Sequence, residues 1–378
     1  MNTVTLPANR ERQSGVELLK ILAIFLIVFN HVTQTLQVEN LYIPYHDYVI
    51  GMPSDTGMTF LQFLLMSFRY SGTLGNHIFF FCSAWFLLDT NHGGTRKMTR
   101  IASDTWALSW SICLLTALIL KGNLPASRIL YQLFPILAQG NWYVTYYLFF
   151  LFLYPSLNFL IRRMNQRNML RAVLALGLIS RAFIRCNLAI WVVFYFLIGY
   201  MKIYLKNFCA DVKKNLVLLI FSASSLALFT SLLYALSLRV PSASSLLYPL
   251  MLGYSFYNPF LFLIVIALLN LARSIPMQSR LINNIAGHSL FIYLIHENDL
   301  VRTYFRPWIW QKIYIEGGYS HIILCIFAYS AALFLCSLAL SVFYTSVLQK
   351  SVWRIGDALF GRVFRLWEKL ELRLLSLH

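Results

Sequence analysis

Ten stretches of this chain are apolar and long enough to cross a lipid bilayer, some of them only just. A membrane-spanning helix needs about 20 mostly apolar residues. In chain order the stretches are 18–38, 72–90, 103–120, 142–161, 169–185, 189–206, 215–236, 257–273, 282–299 and 321–348. Hydrophobic residues make up 59% of the 378 residues and charged residues only 12%, which excludes an ordinary soluble domain. The sequence therefore predicts an all-α, polytopic integral membrane bundle of about ten helices.

The lysines and arginines fall mostly on one side of such a bundle. If the N-terminus is inside the cell and the segments alternate, 22 of the 31 basic residues face the cytoplasm. Positively charged loops are normally retained there, so we expect both termini to be cytoplasmic. We expect the protein to reside in the cell (inner) membrane. The same bias explains the net charge of +17 without a nucleic-acid partner. The basic face would meet anionic membrane lipids or an anionic cytosolic ligand.

Two parts of the chain are expected, a transmembrane domain over residues 1–348 and a basic amphipathic tail over 349–378. The tail places Phe360, Phe364 and Trp367 on one side, so it should lie along the inner membrane surface. The first apolar run is too long for a cleaved signal peptide and should remain as a signal anchor. The six cysteines are scattered without a C-x-x-C pair, which predicts neither a disulfide framework nor a zinc site.

The longest outer loop, about residues 39–71, contains prolines, glycines and several aromatic residues, and it should fold over the outer mouth of the bundle. Within this loop, the apolar run from Phe60 to Phe68 predicts a re-entrant or interfacial helix. No internal repeat is visible in the sequence, which disfavours a transporter built from inverted repeats.

The first apolar segment carries three ionisable residues. Glu17 and Lys20 lie near its inner end, and His31 follows eleven residues after Lys20. Eleven residues are close to three helical turns, so Lys20 and His31 share a face about 16 Å apart, and Glu17 lies on nearly the same face. Ionisable groups inside a membrane are costly and by default indicate functional sites. The structural alternative is a snorkelling lysine and an interfacial histidine, and the spacing alone does not decide between them.

Three histidines, His31, His77 and His296, reach the same outer depth from three different segments. Imidazole is the usual general base near neutral pH. Three histidines could also suggest a zinc site, but they show no paired spacing such as i, i+4, so we expect no metal. Each histidine taken alone is more often structural than catalytic. The spacing from Lys20 makes His31 the favoured base.

Two further groups carry a functional and a structural interpretation. Lys97 and Arg100, three residues apart between segments two and three, could clamp a phosphate, but on charge alone the positive-inside rule is the simpler explanation. Trp142 and Tyr143 open segment four. Aromatic belts at membrane interfaces are normal. Such rings also stack on sugars, which is compatible with a glycan acceptor without being evidence for one.

Taken together, these residues resemble the acyltransferase-3 family of polytopic membrane enzymes over segments one to ten. That family opens with Asp-x-x-Arg, ten residues and His, where this chain has Glu17, Lys20 and His31. The other matching elements are Phe80-Phe81-Cys82-Ser83-Ala84-Trp85-Phe86-Leu87, Lys97-Met-Thr-Arg100, Trp142-Tyr143 with Pro155, and Ser289-Leu-Phe-Ile-Tyr293-Leu294-Ile295-His296. The order and spacing of these elements carry the resemblance.

The chain departs from the family pattern at four positions. Glu17 stands where the family has Asp, and Lys20 and Lys97 stand where it has Arg. These three replacements keep the charge, although lysine lacks the bidentate fork of arginine. Ala84 replaces a glycine, which weakens the expectation of a close helix approach there. The sequence ends at His378 without the extracytoplasmic hydrolase-like domain of some members, so we expect the membrane part alone.

The resemblance implies an O-acyltransferase, most simply an O-acetyltransferase. The donor would be cytosolic acyl-CoA, a co-substrate, with no other cofactor, and the acceptor a hydroxyl of a cell-envelope polysaccharide or its lipid-linked glycan precursor. His31 is implied as the general base, with His296 and Glu17 as further catalytic residues. Two supporting sets are implied, a donor-binding set of Lys20, Lys97 and Arg100 and an acceptor or support set of Ser83, His77, Trp142, Tyr143 and Tyr293.

Two other classes of protein fit the apolar segments and their buried polar groups. One is a membrane transporter or flippase for a lipid-linked saccharide or a small solute. The other is a membrane scaffold without catalytic activity. Consumption of a thioester distinguishes these classes, because only the enzyme releases free CoA in an acceptor-dependent way.

Overall fold

The computed structural model describes residues 12–37, 60–90, 94–138, 140–182, 187–240, 258–306 and 321–376. All regular structure in these ranges is helical, which confirms the predicted all-α membrane bundle. The helices are α1 (Ser14–Gln37), α2 (Phe60–Phe68), α3 (Tyr70–Leu87), α4 (Thr95–Ile119), α5 (Ala126–Leu133), α6 (Trp142–Arg163), α7 (Gln166–Ala182), α8 (Asn187–Tyr204), α9 (Lys206–Ala210), α10 (Val212–Arg239), α11 (Pro259–Ser274), α12 (Arg280–Gly287), α13 (Ser289–His296), α14 (Ile322–Val347) and α15 (Gln349–Ser376), with a π-helical turn at Val301–Phe305.

Six of the described helices are long and apolar enough to cross a membrane, namely α1, α4, α6, α8, α10 and α14. Helix α11 is apolar but only 16 residues long. The protein is thus a multi-pass membrane protein. The count of ten spans and the cytoplasmic position of both termini stay predictions.

Helix α1 lies at the centre of the bundle, packed against α3, α11, α12, α13 and α14. Its apolar face is fully buried at Val16, Ala23 and Val28. Small residues on α3 allow the closest approach, because a Cβ added at Gly75 would lie 2.5 Å from the carbonyl oxygen of Ala23. The ionisable residues of the first segment are therefore held inside the protein and not on a lipid-facing surface.

The predicted ninth segment, 282–299, is not one continuous helix, and that prediction is corrected. Ser279 caps the N-terminus of α12 by accepting a hydrogen bond from the backbone N–H of Ile282 at 3.4 Å. The helix then breaks at Gly287-His288, where the Nδ1 of His288 lies 2.8 Å from the hydroxyl of Ser341. Helix α13, with eight residues, is too short to cross the hydrocarbon layer, and such broken helices occur only where protein or an aqueous cavity surrounds them.

The predicted helix from Phe60 to Phe68 is present as α2. Leu65 is fully buried in a cluster with Phe29 and Ile326, which fixes α2 against α1 and α14. The remainder of the predicted outer loop up to residue 59 is outside the described residues.

The tail is helical, as predicted, and its first turns pack on α4. A Cβ added at Gly356 would overlap the side chain of Ser103, so glycine permits the contact. The indole Nε1 of Trp353 donates a hydrogen bond to Asp104 at 3.0 Å. The beginning of α15 is therefore part of the bundle surface.

We expect a single cysteine at position 40 to be labelled only from outside the cell and one at position 378 only from the cytoplasm. The reason is the asymmetric distribution of the basic residues. The test is labelling of Asn40→Cys and His378→Cys with a membrane-impermeant thiol reagent, before and after permeabilisation, with the native cysteines alone as the background. Labelling of both positions from the same side would contradict the ten-span topology.

Candidate active site

His31 of α1 and His296 of α13 meet inside the bundle, although 265 positions separate them in the chain. The Nδ1 of His31 lies 3.0 Å from the Nε2 of His296 and 2.9 Å from the carboxylate of Glu297. All three residues are buried, with His31 the most exposed at 9%. The structure thus brings two of the three histidines predicted at this depth into direct contact.

The hydrogen bonds fix which nitrogen of His31 carries its proton. The Nδ1 of His296 lies 2.6 Å from the carbonyl oxygen of Ile292, which can only accept, so this Nδ1 carries a hydrogen. In a neutral imidazole its Nε2 is then an acceptor, and the carboxylate of Glu297 is an acceptor as well. Both face the Nδ1 of His31, which must therefore be the donor. This tautomer leaves the Nε2 of His31 as the basic nitrogen.

Glu297 is held by two guanidinium groups. Arg306 donates to one carboxylate oxygen at 3.1 Å, and Arg302 lies 3.1 Å from the other. Arg306 is 1% exposed and also donates to the backbone carbonyl of His31 at 3.2 Å. A buried carboxylate with these partners is stabilised in its charged form. Glu297 therefore orients His31 in the way that a carboxylate orients a catalytic histidine.

Among the described residues, His31, His296 and Glu297 form the one group whose ligand atoms, all within 4.8 Å of one another, could hold a metal ion. The hydrogen of His296 Nδ1 on a backbone carbonyl is also usual for a metal-bound histidine. However, both carboxylate oxygens of Glu297 are already paired with arginines, and these positive charges oppose a cation. The expectation of no metal stays a prediction.

His77 does not join this cluster. It is fully buried in α3, stacked on Phe262 with ring centroids 5.2 Å apart and edge-on to Phe194 at 5.0 Å. These ring contacts are those of a packing residue.

A second feature, a cavity of about 1000 Å³, opens at the other end of α1. Three cations predicted to bind the donor, Lys20, Lys97 and Arg100, all line it, and Arg12 and Arg96 add two more. The acidic residues in its wall are Glu17 and Asp104. With five basic and two acidic side chains, the cavity is suited to an anionic ligand.

Two cations of the cavity wall, Lys97 and Arg100, contact aromatic residues. The ammonium group of Lys97 donates to the hydroxyl of Tyr147 at 2.8 Å and lies 5.2 Å from the centroid of its ring. The guanidinium of Arg100 lies 4.1 Å from the ring centroid of Trp353. Ser83, predicted as a support residue, also lines the cavity, close to Tyr147.

Two predicted support residues, Tyr143 and Tyr293, connect the cavity with the histidine pair. Tyr143 lines the cavity, its ring centroid lies 5.8 Å from that of Tyr293, and Tyr293 lies 5.9 Å from His296. Both tyrosine hydroxyls are buried without a hydrogen-bond partner among the described residues. Buried donors of this kind are costly unless a ligand satisfies them. Trp142 packs on Tyr143 outside this path, at 5.6 Å.

Comparison with known families decides what kind of protein carries this arrangement. The family model described as an acyltransferase domain matches residues 13–347, which is most of the chain. The chain belongs to the acyltransferase-3 family. This acyltransferase therefore works with an acyl donor and an acceptor in a membrane environment. No curated protein and no solved structure matches the chain.

Two glutamates of the acyltransferase bear on the site. The sequence predicted a role for Glu17 but none for Glu297. Glu17 pairs with Lys20 at 3.0 Å in the cavity wall, and fourteen residues separate it from His31, about 21 Å along the helix. Its catalytic role stays a prediction. The carboxylate that touches His31 is Glu297. A signal for it existed, because an acid directly after His296, at the end of an apolar helix, is itself an unusual ionisable residue at membrane depth.

Proposed function

We propose that this acyltransferase is an O-acyltransferase, most simply an O-acetyltransferase, of the cell (inner) membrane. It moves an acyl group from cytosolic acyl-CoA to a hydroxyl of a cell-envelope glycan or its lipid-linked precursor. One observation carries the proposal. Helix α1 carries His31 near one end, where Glu297 determines which nitrogen of the ring is basic, and the cavity suited to an anion opens at the other end.

The cavity supports a CoA donor by its size and charge. Pockets for ligands of this kind usually have volumes of about 300–1000 Å³, and this cavity is about 1000 Å³. The nucleotide part of CoA carries a pyrophosphate and a 3′-phosphate, which basic side chains recognise through charge-assisted hydrogen bonds. Its pantetheine arm is long, flexible and uncharged, and it would extend past Tyr143 towards the histidines.

In the proposed reaction, the Nε2 of His31 removes the proton from the acceptor hydroxyl as the oxygen attacks the thioester carbonyl carbon. The carbon–sulfur bond then breaks, the acyl group remains on the acceptor oxygen, and the thiolate takes up a proton and leaves as free CoA. Glu297 keeps the His31 ring in the required tautomer. The buried hydroxyls of Tyr143 and Tyr293 are donors available to the oxyanion.

Release of free thiol in an acceptor-dependent way tests the proposed function. Membrane vesicles containing the protein are supplied with acetyl-CoA on the cytoplasmic side and with a glycan acceptor, and thiol and acylated glycan are measured together. We expect both products in equal amounts. Movement of a saccharide across the membrane without thiol release would instead support the transporter or flippase.

We expect Lys97→Ala and Arg100→Ala to raise the KM for acyl-CoA more than they lower kcat. Each lost charge-assisted contact to a phosphate should cost about 1.5–3 kcal/mol, or roughly 10- to 150-fold in affinity. The measurement is activity against acyl-CoA concentration. Lys213→Ala, an exposed lysine outside the cavity, is the matched control. An unchanged KM with a collapsed kcat would rule out the phosphate-clamp role.

A further inference from the structure

Helix α15 reaches the cavity, although it begins beyond the last residue of the family match at 347. Gln349 and Trp353, from its first turns, form part of the cavity wall. Sequence reasoning assigned this helix to the membrane surface only. The structure shows that the tail also completes the wall of the proposed donor site.

A buried carboxylate fixes this wall in position. Asp104 of α4 is 2% exposed and accepts three hydrogen bonds, from the hydroxyl of Tyr344 at 2.8 Å, the Nε1 of Trp353 at 3.0 Å and the amide of Gln349 at 3.3 Å. These donors belong to α14 and α15. Asp104 therefore joins three helices at one point. Its hydrogen bond to the Nε1 of Trp353 fixes the N–H edge of the indole against α4.

Arg100 packs against one face of the same indole. Its guanidinium lies 4.1 Å from the ring centroid, and its Nε is buried without a hydrogen-bond partner among the described residues. A guanidinium donor in the wall of a cavity can form a charge-assisted hydrogen bond to a bound anion such as a phosphate. The indole next to it is held rigidly before any ligand arrives, which lowers the entropic cost of binding.

We propose that Trp353 is the base-stacking subsite for the adenine of acyl-CoA, with Arg100 as the contact to a neighbouring phosphate. This inference rests on the proposed function, because it assigns the nucleotide end of that donor. Cations alone would bind any anion of suitable size. An aromatic ring beside a cation adds a surface for a nucleotide base, and removal of such a ring costs about 5- to 150-fold in affinity in other proteins.

The first test is binding of adenosine 3′,5′-bisphosphate to the purified full-length enzyme, which requires no turnover. We expect Trp353→Leu to weaken binding on the order of 10-fold. Trp353→Phe keeps a ring without the N–H and should lose much less. Trp110→Leu, which removes a 48% exposed indole from α4 outside the cavity, should bind like the wild type. Equal binding by wild type and Trp353→Leu would overturn the inference, as would no binding by the wild type.

A ligand comparison on the wild type covers the case in which Trp353→Leu does not fold. Inorganic pyrophosphate carries the charge of the donor without its base. If the enzyme binds adenosine 3′,5′-bisphosphate much more tightly than pyrophosphate, a base subsite exists. If both bind equally, the cavity recognises charge alone and the inference is wrong.

A donor series separates base stacking from a structural role of the ring. Acetyl-pantetheine contains the thioester arm without the nucleotide. Trp353→Leu should raise the KM for acetyl-CoA on the order of 10-fold and leave the KM for acetyl-pantetheine unchanged. An equal rise for both donors would mean that the indole only supports the fold, which overturns the inference.

The same measurements distinguish failure of this inference from failure of the proposed function. A wild type that consumes neither thioester, yet binds the nucleotide through Trp353, would contradict the acyl-CoA donor and support the subsite. A wild type that consumes acetyl-CoA with a KM identical to that of Trp353→Leu would support the function and contradict the subsite.

Discussion

Replacing His31 by alanine should abolish acyl transfer while the protein remains folded and inserted. A positioned general base contributes roughly 10²- to 10⁴-fold in rate, and the carboxylate of Glu297 lies 2.9 Å from the Nδ1 of His31. The measurement is glycan acylation, or acceptor-dependent thiol release, per unit of membrane-inserted protein. A purely structural histidine would show the opposite result, with reduced expression and normal specific activity in the protein that folds.

Two histidine variants serve as comparisons for His31→Ala. His77→Ala removes an imidazole packed between aromatic rings, so we expect it to change stability more than specific activity. His296→Ala removes the ring that faces the Nδ1 of His31 at 3.0 Å, so we expect an intermediate loss of rate. If His31→Ala keeps near-normal activity while another histidine variant loses it, the base has been assigned to the wrong helix.

The second large effect is expected for Glu297→Gln. The amide has the shape of the carboxylate but lacks its charge, so it no longer stabilises the positive charge that the proposed base His31 gains when it takes up a proton, and kcat should fall by roughly 10²- to 10⁴-fold. The change also removes the counter-charge of Arg302 and of the buried Arg306. Breaking a buried ion pair from one side costs about 3–5 kcal/mol of stability. Activity and thermal unfolding in detergent measure the two effects separately.

Asp299→Asn is the matched control for Glu297→Gln. Asp299 is also paired with an arginine, Arg128 at 2.6 Å, but the Arg128 side chain is 36% exposed. Exposed ion pairs contribute at most about 1 kcal/mol, so this variant should remain active and nearly as stable as the wild type. Wild-type turnover by Glu297→Gln would show that the carboxylate does not orient the base.

Features within one helix could be predicted from the sequence. Helical periodicity places Glu17, Lys20 and His31 on one side of α1, and the structure has Glu17 and Lys20 in the cavity wall with His31 buried near the opposite end. These are local properties, fixed by the spacing of residues along one helix.

Contacts between distant helices could not be predicted in this way. Nothing in the spacing of α13 shows that Glu297 faces His31, or that Arg302 and Arg306 turn back onto the same carboxylate. The pattern of the tail predicted a helix, which the structure has over Gln349–Ser376, but it could not show that Trp353 meets Asp104 on α4. Such pairings depend on how the helices pack, which a period of 3.6 residues does not encode.

The short helix α13 sets the distance that the proposed reaction must cover. Ser289, its first residue, lines the cavity, and His296, its last, contacts the proposed base His31, so a helix of eight residues, about 12 Å long, lies between the two. The hydrocarbon layer is about 30 Å thick. If the acyl donor binds in the cavity, its charged nucleotide need never leave the cytoplasmic side, because a neutral arm covers the remaining depth. An acyl group can then be exported by chemistry alone, without an alternating-access cycle or an ion gradient.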